Sequence, residues 1–116
     1  MKLTRFNNNP IISPTGDDGE ACATFNPADF YKDGKIHVLY RACGDYLKYK
    51  ANLGYATFDK NMNLIERADE PIFKIDKKVW EFTIEDARIR EIEEEFFLTY
   101  VVSPNSRSYS GTGRGV

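Results

Sequence analysis

The strongest constraint on the fold is an internal repeat with a spacing of sixty residues. The stretch NPADFYKDGKIHVLYR at 26–41 recurs in altered form as DARIREIEEEFFLTY at 86–100, so that Asn26 corresponds to Asp86 (86 − 26 = 60). Each copy predicts a strand, a polar turn and a returning strand. The first turn contains Asp33-Gly34, which supplies the positive φ angles of a tight hairpin, whereas the second is an acidic run without glycine. A hairpin that recurs along the chain predicts a blade-type β repeat, with a shared site where Asn26 and Asp86 coincide.

The rest of the pattern predicts an all-β fold. Eight Phe, seven Tyr and one Trp, together with many β-branched residues, favour strands, and no segment sustains a helical period. A second pair of similar segments, Asn9-Pro10-Ile11-Ile12 and Glu70-Pro71-Ile72-Phe73, supports the repeat. We expect one antiparallel four-stranded blade followed by a second hairpin. The expected strands are 21–31, 35–42, 52–58 and 64–67, with the second hairpin over 82–102.

Pro27 bears on the first strand of this blade. Proline donates no ladder hydrogen bond, so the strand must lie at an edge or contain a bulge or a break at this point. Because a residue before proline favours extended conformations, we expect Asn26 to be extended and to present its side chain in a fixed direction.

The composition changes after Val102. Residues 1–102 form the expected β domain, whereas 103–116 consist largely of Ser, Gly and Arg and predict a flexible tail. Alternatively, the glycines and arginines of this segment form an anion-binding loop. One and a half blades leave an unpaired edge, so we expect either that copies of the chain cover it or that the chain is a truncated part of a longer repeat protein.

Charge and hydropathy exclude several functional classes. Sixteen basic and eighteen acidic residues give a net charge of −2, which suits neither nucleic acid nor an anionic membrane as a partner. No apolar run is long enough for a membrane span or a secretory signal. Cys22 and Cys43 are too few for a disulfide framework, and with His37 they are too few for a zinc site. We therefore expect free thiols that fill apolar space, no metal and a cytoplasmic location.

The segment Glu85-Asp86-Ala87-Arg88 is the leading candidate for chemistry. Side chains alternate along a strand, so Asp86 and Arg88 are expected on one face and Glu85 on the other. A neighbouring arginine lowers a carboxyl pKa and burial raises it, and a carboxyl balanced between the two can act as a general acid near neutral pH. Alternatively, Asp86 and Arg88 form a structural pair between strands.

Asn26 and Arg41 are candidate ligand-binding residues. The amide of Asn26 can donate to and accept from a hydroxyl-rich ligand, and the planar fork of Arg41 can hold sugar hydroxyls or an anion. Alternatively, Asn26 caps a strand start and Arg41 emerges at a strand end. Stacking platforms for sugar rings could come from Tyr46, Tyr49, Tyr55 and Trp80, although core packing is the commoner use of aromatic residues.

The chain resembles the N-terminal part of glycoside hydrolase family 130, the β-mannoside phosphorylases and related mannosidases. The resemblance rests on an ordered set of motifs over residues 9–102. The set comprises Asn9-Pro10-Ile11-Ile12, Phe25-Asn26-Pro27-Ala28, Asp33-Gly34-Lys35, Leu39-Tyr40-Arg41-Ala42, Leu53-Gly54-Tyr55-Ala56, Glu70-Pro71-Ile72-Phe73 and Ile84-Glu85-Asp86-Ala87-Arg88-Ile89.

The resemblance implies a five-bladed β-propeller, of which this chain would hold one and a half to two blades. It implies that Asp86 is the single catalytic acid, that Asn26 and Arg41 bind mannose, and that Arg88 accompanies the acid. In the family, inorganic phosphate attacks the anomeric carbon of the mannose. The configuration at this carbon inverts, and α-mannose 1-phosphate is released. The implied partners are a β-mannoside and phosphate as co-substrate, with no cofactor.

Other functions remain open from the sequence. Family members are about three times this length and hold phosphate mostly with residues of later blades, so we expect the chain to be inactive alone. Alternatively, it is a non-catalytic carbohydrate-binding module, or one that associates with its own copies through open blade edges. A different five-bladed glycosidase would need a second carboxylate, for which Asp29 or Asp45 would have to serve.

Overall fold

The computed structural model of the chain describes residues 1–17, 19–45, 50–73 and 82–104. These residues form six strands and no helix, which confirms the all-β expectation. No helix in the described part is therefore long and apolar enough to cross a membrane. The strands are β1 (Ala23–Lys32), β2 (Lys35–Asp45), β3 (Lys50–Phe58), β4 (Leu64–Arg67), β5 (Phe82–Ile92) and β6 (Glu95–Pro104).

The first four strands form one antiparallel sheet in the order β1-β2-β3-β4. Its first turn joins β1 to β2 through Asp33 and Gly34, whose φ angles are 50° and 76°. Both values lie in the left-handed region, which the hairpin turn requires and which glycine adopts without strain. The predicted four-stranded unit is confirmed, although β2 extends three residues beyond the expected Ala42, to Asp45.

The second hairpin, β5 and β6, repeats the first without its glycine. Glu93 and Glu94 occupy the turn with φ angles of 52° and 66°. A non-glycine residue in this region costs about 1–2 kcal/mol, because its Cβ crowds the following carbonyl. The acidic run thus makes the same turn as Asp33-Gly34, at a higher conformational cost.

The two sheets stack front to back. Ala28, Leu39 and Leu53 of the first sheet form a core with Ile84 and Ala87 of the second. The opposite face of the first sheet, which carries Val38, Tyr40, Ala56 and Phe58, packs against Ile11 and Ile12. Each sheet therefore turns the same face toward the chain that precedes it, as successive units of a repeat do.

The second pair of similar segments, which contains Ile12 and Phe73, also occupies equivalent places in the two sheets. Ile12 covers the face of the first sheet that carries Tyr40. Phe73, its counterpart in the second copy, joins the core between the sheets and lies 5.0 Å from the ring of Tyr100. Tyr100 corresponds to Tyr40 (100 − 40 = 60), so both short apolar segments cover equivalent positions.

Both copies contain a β-bulge at the same position. The register shifts between Phe25 and Ala28 in β1 and between Glu85 and Arg88 in β5. Asn26 and Asp86 adopt φ angles of 48° and 51°. The expectation that Pro27 holds Asn26 extended is therefore wrong, because a bulged residue in the left-handed region is well suited to Asn and Asp. The prediction that Pro27 marks an edge strand or a bulge is confirmed on both counts.

The C-terminal segment and the two cysteines differ in part from the expectations. Strand β6 runs through Pro104, so Ser103 and Pro104 belong to the sheet, and the remaining residues of the expected tail, 105–116, lie outside the described residues. Both thiols are free, as expected. Cys43 is buried, which raises its pKa, whereas Cys22 is exposed and is no apolar filler.

Candidate functional site

The two bulges bring Asn26 and Asp86 into contact. The amide Nδ2 of Asn26 donates a hydrogen bond to Oδ1 of Asp86 at 2.5 Å, across sixty residues of chain. A left-handed residue at a bulge redirects its side chain away from the alternation of the strand. The repeat thus places a carboxamide and a carboxylate at one point between the sheets, as the sequence suggested.

Arg41 of β2 completes this cluster from the first sheet. Its Nη2 donates to the same Oδ1 of Asp86 and lies 3.1 Å from Oε2 of Glu85. The guanidinium carbon lies 4.8 Å from the ring centre of Phe25, which adds a cation–π contact. Only 7% of the Arg41 side chain is exposed, so its charge is balanced mainly by two carboxylates rather than by water.

The side chain of Glu85 does not lie on the face of β5 that strand alternation predicted. We expected its side chain on the face opposite Asp86, but both carboxylates contact Arg41. The bulge explains the error, because one extra residue interrupts the alternation between Glu85 and Arg88. Thr83, which the sequence did not single out, donates from Oγ1 to Oε1 of Glu85 at 2.6 Å. The matching position of Asn26 next to Pro27 was the one signal that could have revealed a break here.

Arg88 lies beside the cluster and acts on it through its charge. Its Nη1 donates to the carbonyl of Ala87 at 2.8 Å. With Arg90 and with Asp29 of β1, it lines a cavity of about 300 Å³ between the two sheets. Asp29, one of the alternative second carboxylates, thus lines the same cavity as Arg88, while Asp45 is the last residue of β2.

The environment of Asp86 holds its pKa below the ordinary aspartate value of 3.8. The hydrogen bond from Asn26 is the main cause, partial desolvation opposes it, and the charges of Arg41 and Arg88 lower the pKa further. Each of these donors or charges stabilises the carboxylate over the neutral acid. Asp86 is therefore ionised at neutral pH in the sugar-free chain, which differs from the balanced carboxyl expected from the sequence.

The other residues named from the sequence lie elsewhere. Tyr55 is in hydrogen-bond contact with Nδ1 of His37 at 2.7 Å, and the imidazole stacks on Phe30 at 4.6 Å, so both rings are part of the packing of the first hairpin. Tyr46, Tyr49 and Trp80 lie outside the described residues. Within the described ranges, no three His, Cys, Asp or Glu residues are grouped so as to hold a metal ion.

Fold and site together define the class: an all-β repeat protein of stacked antiparallel sheets, with an aspartate clamped by an amide and a guanidinium where two units meet. A sequence profile of glycoside hydrolase family 130, described as beta-1,4-mannooligosaccharide phosphorylase, matches residues 3–113. The chain belongs to this family.

Relatives of known sequence agree with the family assignment. The beta-1,2-mannobiose phosphorylase of Thermoanaerobacter sp. (strain X514) is 34% identical over 114 residues, which covers 86% of this chain and 37% of the relative. The 1,2-beta-oligomannan phosphorylase of the same organism is 31% identical over 106 residues and is covered to 36%. The chain thus spans little more than a third of the length of these relatives.

Solved structures share the fold. One, from work on family members that are glycoside hydrolases targeting beta-1,2 mannosidic linkages in Candida mannan, superposes with a TM-score of 0.69 at 32% identity, over 81% of this chain and 32% of that one. A glycosyl hydrolase from Bacteroides ovatus superposes with a TM-score of 0.61 at 28% identity, over 85% and 37% respectively. The stacked sheets described above are therefore part of a larger architecture in these proteins.

Proposed function

We propose that this chain supplies the acid-bearing part of a β-mannoside phosphorylase site, with Asp86 as the catalytic acid and Asn26 and Arg41 as sugar-binding residues. One observation carries the proposal: Asn26 and Arg41, 60 and 45 residues away in sequence, converge on a single oxygen of Asp86. The family membership gives this convergence its chemical meaning.

The cluster is suited to a hexose. Asp86 is 40% exposed at its side chain, so a ligand can reach it from solvent, whereas Arg41 approaches from the buried side. An amide, a guanidinium and a carboxylate offer donors and acceptors in the mixture that vicinal hydroxyls require. Arg88 provides a further positive charge next to the acid.

Sugar binding would also adjust the acidity of Asp86. The hydrogen bond of Asn26 is the main cause of the low pKa of this carboxyl. Mannose hydroxyls that engage Asn26 and Arg41 would draw these donors away from Oδ1 and exclude water, and both changes raise the pKa. Asp86 could then carry the proton that it delivers to the glycosidic oxygen, through a hydroxyl of the sugar.

Phosphorolysis needs no second carboxylate. An inverting hydrolase requires a base to activate water, but phosphate is already an anion and can attack the anomeric carbon directly. The bond from C1 to the glycosidic oxygen breaks as the bond from phosphate to C1 forms, and Asp86 protonates the departing oxygen. The products are α-mannose 1-phosphate and a sugar with one residue fewer, and no cofactor takes part.

We further propose a five-bladed propeller for the complete enzyme, with most phosphate-binding residues in later blades and a cytoplasmic location. The 116-residue chain alone is then expected to turn over no mannoside. This agrees with a chain that covers 37% of the length of a related phosphorylase.

The test is phosphate-dependent release of mannose 1-phosphate from β-mannosides, measured on the polypeptide that carries this segment together with the remaining blades. Asp86→Asn should reduce kcat by about 10²–10⁴-fold, the usual contribution of a general acid. Asp29→Asn is the matched control, because it makes the same change at an exposed carboxylate of the adjoining strand β1 and should leave kcat unchanged. An unimpaired Asp86→Asn enzyme would refute the assignment of the acid.

A second candidate function is self-association without catalysis. It is favoured by the apolar surface of β6, where Phe97, Tyr100, Val101 and Val102 are all exposed. Such a patch on a sheet edge favours pairing between copies. Light scattering of the 116-residue chain, with titration by mannose oligosaccharides, separates the two candidates: a monomer that binds no sugar argues against this one.

A further inference from the structure

Glu85 lies behind the candidate site, on the buried side of Arg41. Its Oε2 lies 3.1 Å from Nη2 of Arg41, and its Oε1 accepts the hydrogen bond of Thr83 at 2.6 Å. Both carboxylate oxygens therefore have a partner, and the side chain is only 12% exposed. A carboxylate held at both oxygens in a buried setting has a fixed orientation.

We infer that Glu85, held by Thr83, is the positioning residue that keeps Arg41 in place while Asp86 gains or loses its proton. The inference rests on the proposed function of Asp86, and it adds two residues that have no direct contact with the sugar to the machinery of that site.

The exposure of the two carboxylates separates their roles. Arg41 contacts both with the same nitrogen, Nη2, yet Asp86 is 40% exposed and Glu85 only 12%. A buried guanidinium needs a counter-ion at every stage, since an uncompensated buried charge is strongly destabilising. Asp86 loses its charge whenever it holds a proton, so it cannot be the permanent counter-ion. Glu85 can.

The arrangement has a consequence for the reaction. When Asp86 is protonated or turns to a sugar hydroxyl, Arg41 keeps its pair with Glu85 and remains in place. Without Glu85, the guanidinium would lose this fixed partner and would follow the charge of Asp86. The ring of Phe25, 4.8 Å from the guanidinium carbon, limits the remaining movement on one side.

Several groups set the charge around Asp86. Arg41 comes from β2, Glu85 and Arg88 from its own strand, and Asn26 from β1, whose Asp29 lines the neighbouring cavity with Arg88. The partners of the bulge in β6, Thr99 and Val101, are uncharged. The side chains of β3 described at 51–58 include one ionisable group, Tyr55. Removing the charge of Glu85 leaves Arg41 and Arg88 acting on Asp86 with less opposition, so the pKa of Asp86 should fall.

The first experiment measures that change without any substrate. Carboxyl-carbon NMR titration of the 116-residue chain follows Asp86 in wild type and Glu85→Gln, which keeps the shape and removes the charge. The Asp86 titration is expected to move to lower pH. A titration that stays in place would show that the two carboxylates do not share Arg41 and would overturn the inference. Because no sugar is present, this result leaves the catalytic assignment of Asp86 untouched.

The second experiment uses Thr83, where one substitution keeps the hydroxyl and the other replaces it by a methyl group. Thr83→Ser keeps the donor to Glu85, whereas Thr83→Val keeps the volume and removes it. In the complete phosphorylase, Thr83→Val should lower kcat/KM about tenfold, the scale of a hydrogen bond to a charged group, and Thr83→Ser should restore it to within about twofold. Equal losses in both variants would show that the site needs the packing of Thr83 and not its hydrogen bond, which refutes the positioning role. This readout also covers the case in which Glu85→Gln fails to fold.

Discussion

Replacing Gly54 by alanine should destabilise the first sheet, because β2 and β3 meet there without room for a side chain. A Cβ at this position would lie 2.5 Å from Cε2 and Cζ of Tyr40 and 2.8 Å from its Oη. Carbon atoms pack favourably at about 3.5–4.0 Å, so the ring would have to retreat by about 1 Å.

Tyr40 is not free to retreat. Its hydroxyl donates to Oε2 of Glu20 at 3.1 Å and accepts from Nε of Arg67 at 3.0 Å, and Arg67 is itself paired with Glu20 at 2.8 Å. Overpacking costs about 1–3 kcal/mol, and weakening hydrogen bonds to charged partners costs about 1.5–3 kcal/mol each when they are lost. Alanine returns about 0.4–1 kcal/mol by restricting the unfolded chain. The net loss in the free energy of unfolding should be about 2 kcal/mol.

Urea denaturation of the 116-residue chain measures this loss. Gly19→Ala is the matched control, since a Cβ there meets nothing within 4 Å and the backbone lies outside the left-handed region. In a Tyr40→Leu background the Gly54→Ala cost should largely disappear, because the ring that it strikes is gone. If Gly54→Ala proved as stable as Gly19→Ala, the close approach of Tyr40 to the β3 backbone would be wrong.

Three further substitutions test other parts of the fold. Glu94→Gly should raise the free energy of unfolding by about 1 kcal/mol in urea denaturation, because Glu94 has a φ angle of 66°; no gain would contradict a left-handed turn. Ile84→Ala should cost about 2–5 kcal/mol by the same assay, since Ile84 is 1% exposed in the core between the sheets; a cost near zero would mean that the sheets do not stack there. The pKa of Asp59 is lowered in the folded chain, mainly by the hydrogen bond from the side chain of Asn63. The contribution of Asp59 to the free energy of unfolding is therefore fully present above the unfolded-state pKa of 3.8, and it is lost as the pH falls through the lower folded-state pKa. Asp59→Asn should therefore flatten the loss of stability measured by acid titration in this range, and an unchanged acid limb would refute the contribution.

The fold was largely predictable from local patterns. Asp33-Gly34 predicted the first turn and Pro27 predicted an edge strand or a bulge, because each depends on backbone properties of one or two residues. The internal repeat, with its spacing of sixty residues, predicted that Asn26 and Asp86 share a site, and the structure places them in contact.

Two errors about the candidate site have a common cause. Asn26 was expected to be extended and Glu85 was expected to face away from Asp86, and both expectations assumed regular strands. The bulges at Asn26 and Asp86 break the alternation, and the second one turns Glu85 toward Arg41. Thr83 was missed for the same reason, since its role exists only through the rotated Glu85.

The amino-acid sequence by itself determined the all-β class, the order of the hairpins and the equivalence of the two copies. These follow from short-range backbone preferences and from the apolar pattern, which act within a few residues. Only the tertiary structure decided which charges surround Asp86 and in which direction its pKa moves. That outcome depends on how one sheet packs against the next, because Arg41 and Asp86 meet across 45 residues and no local pattern specifies the geometry of their contact.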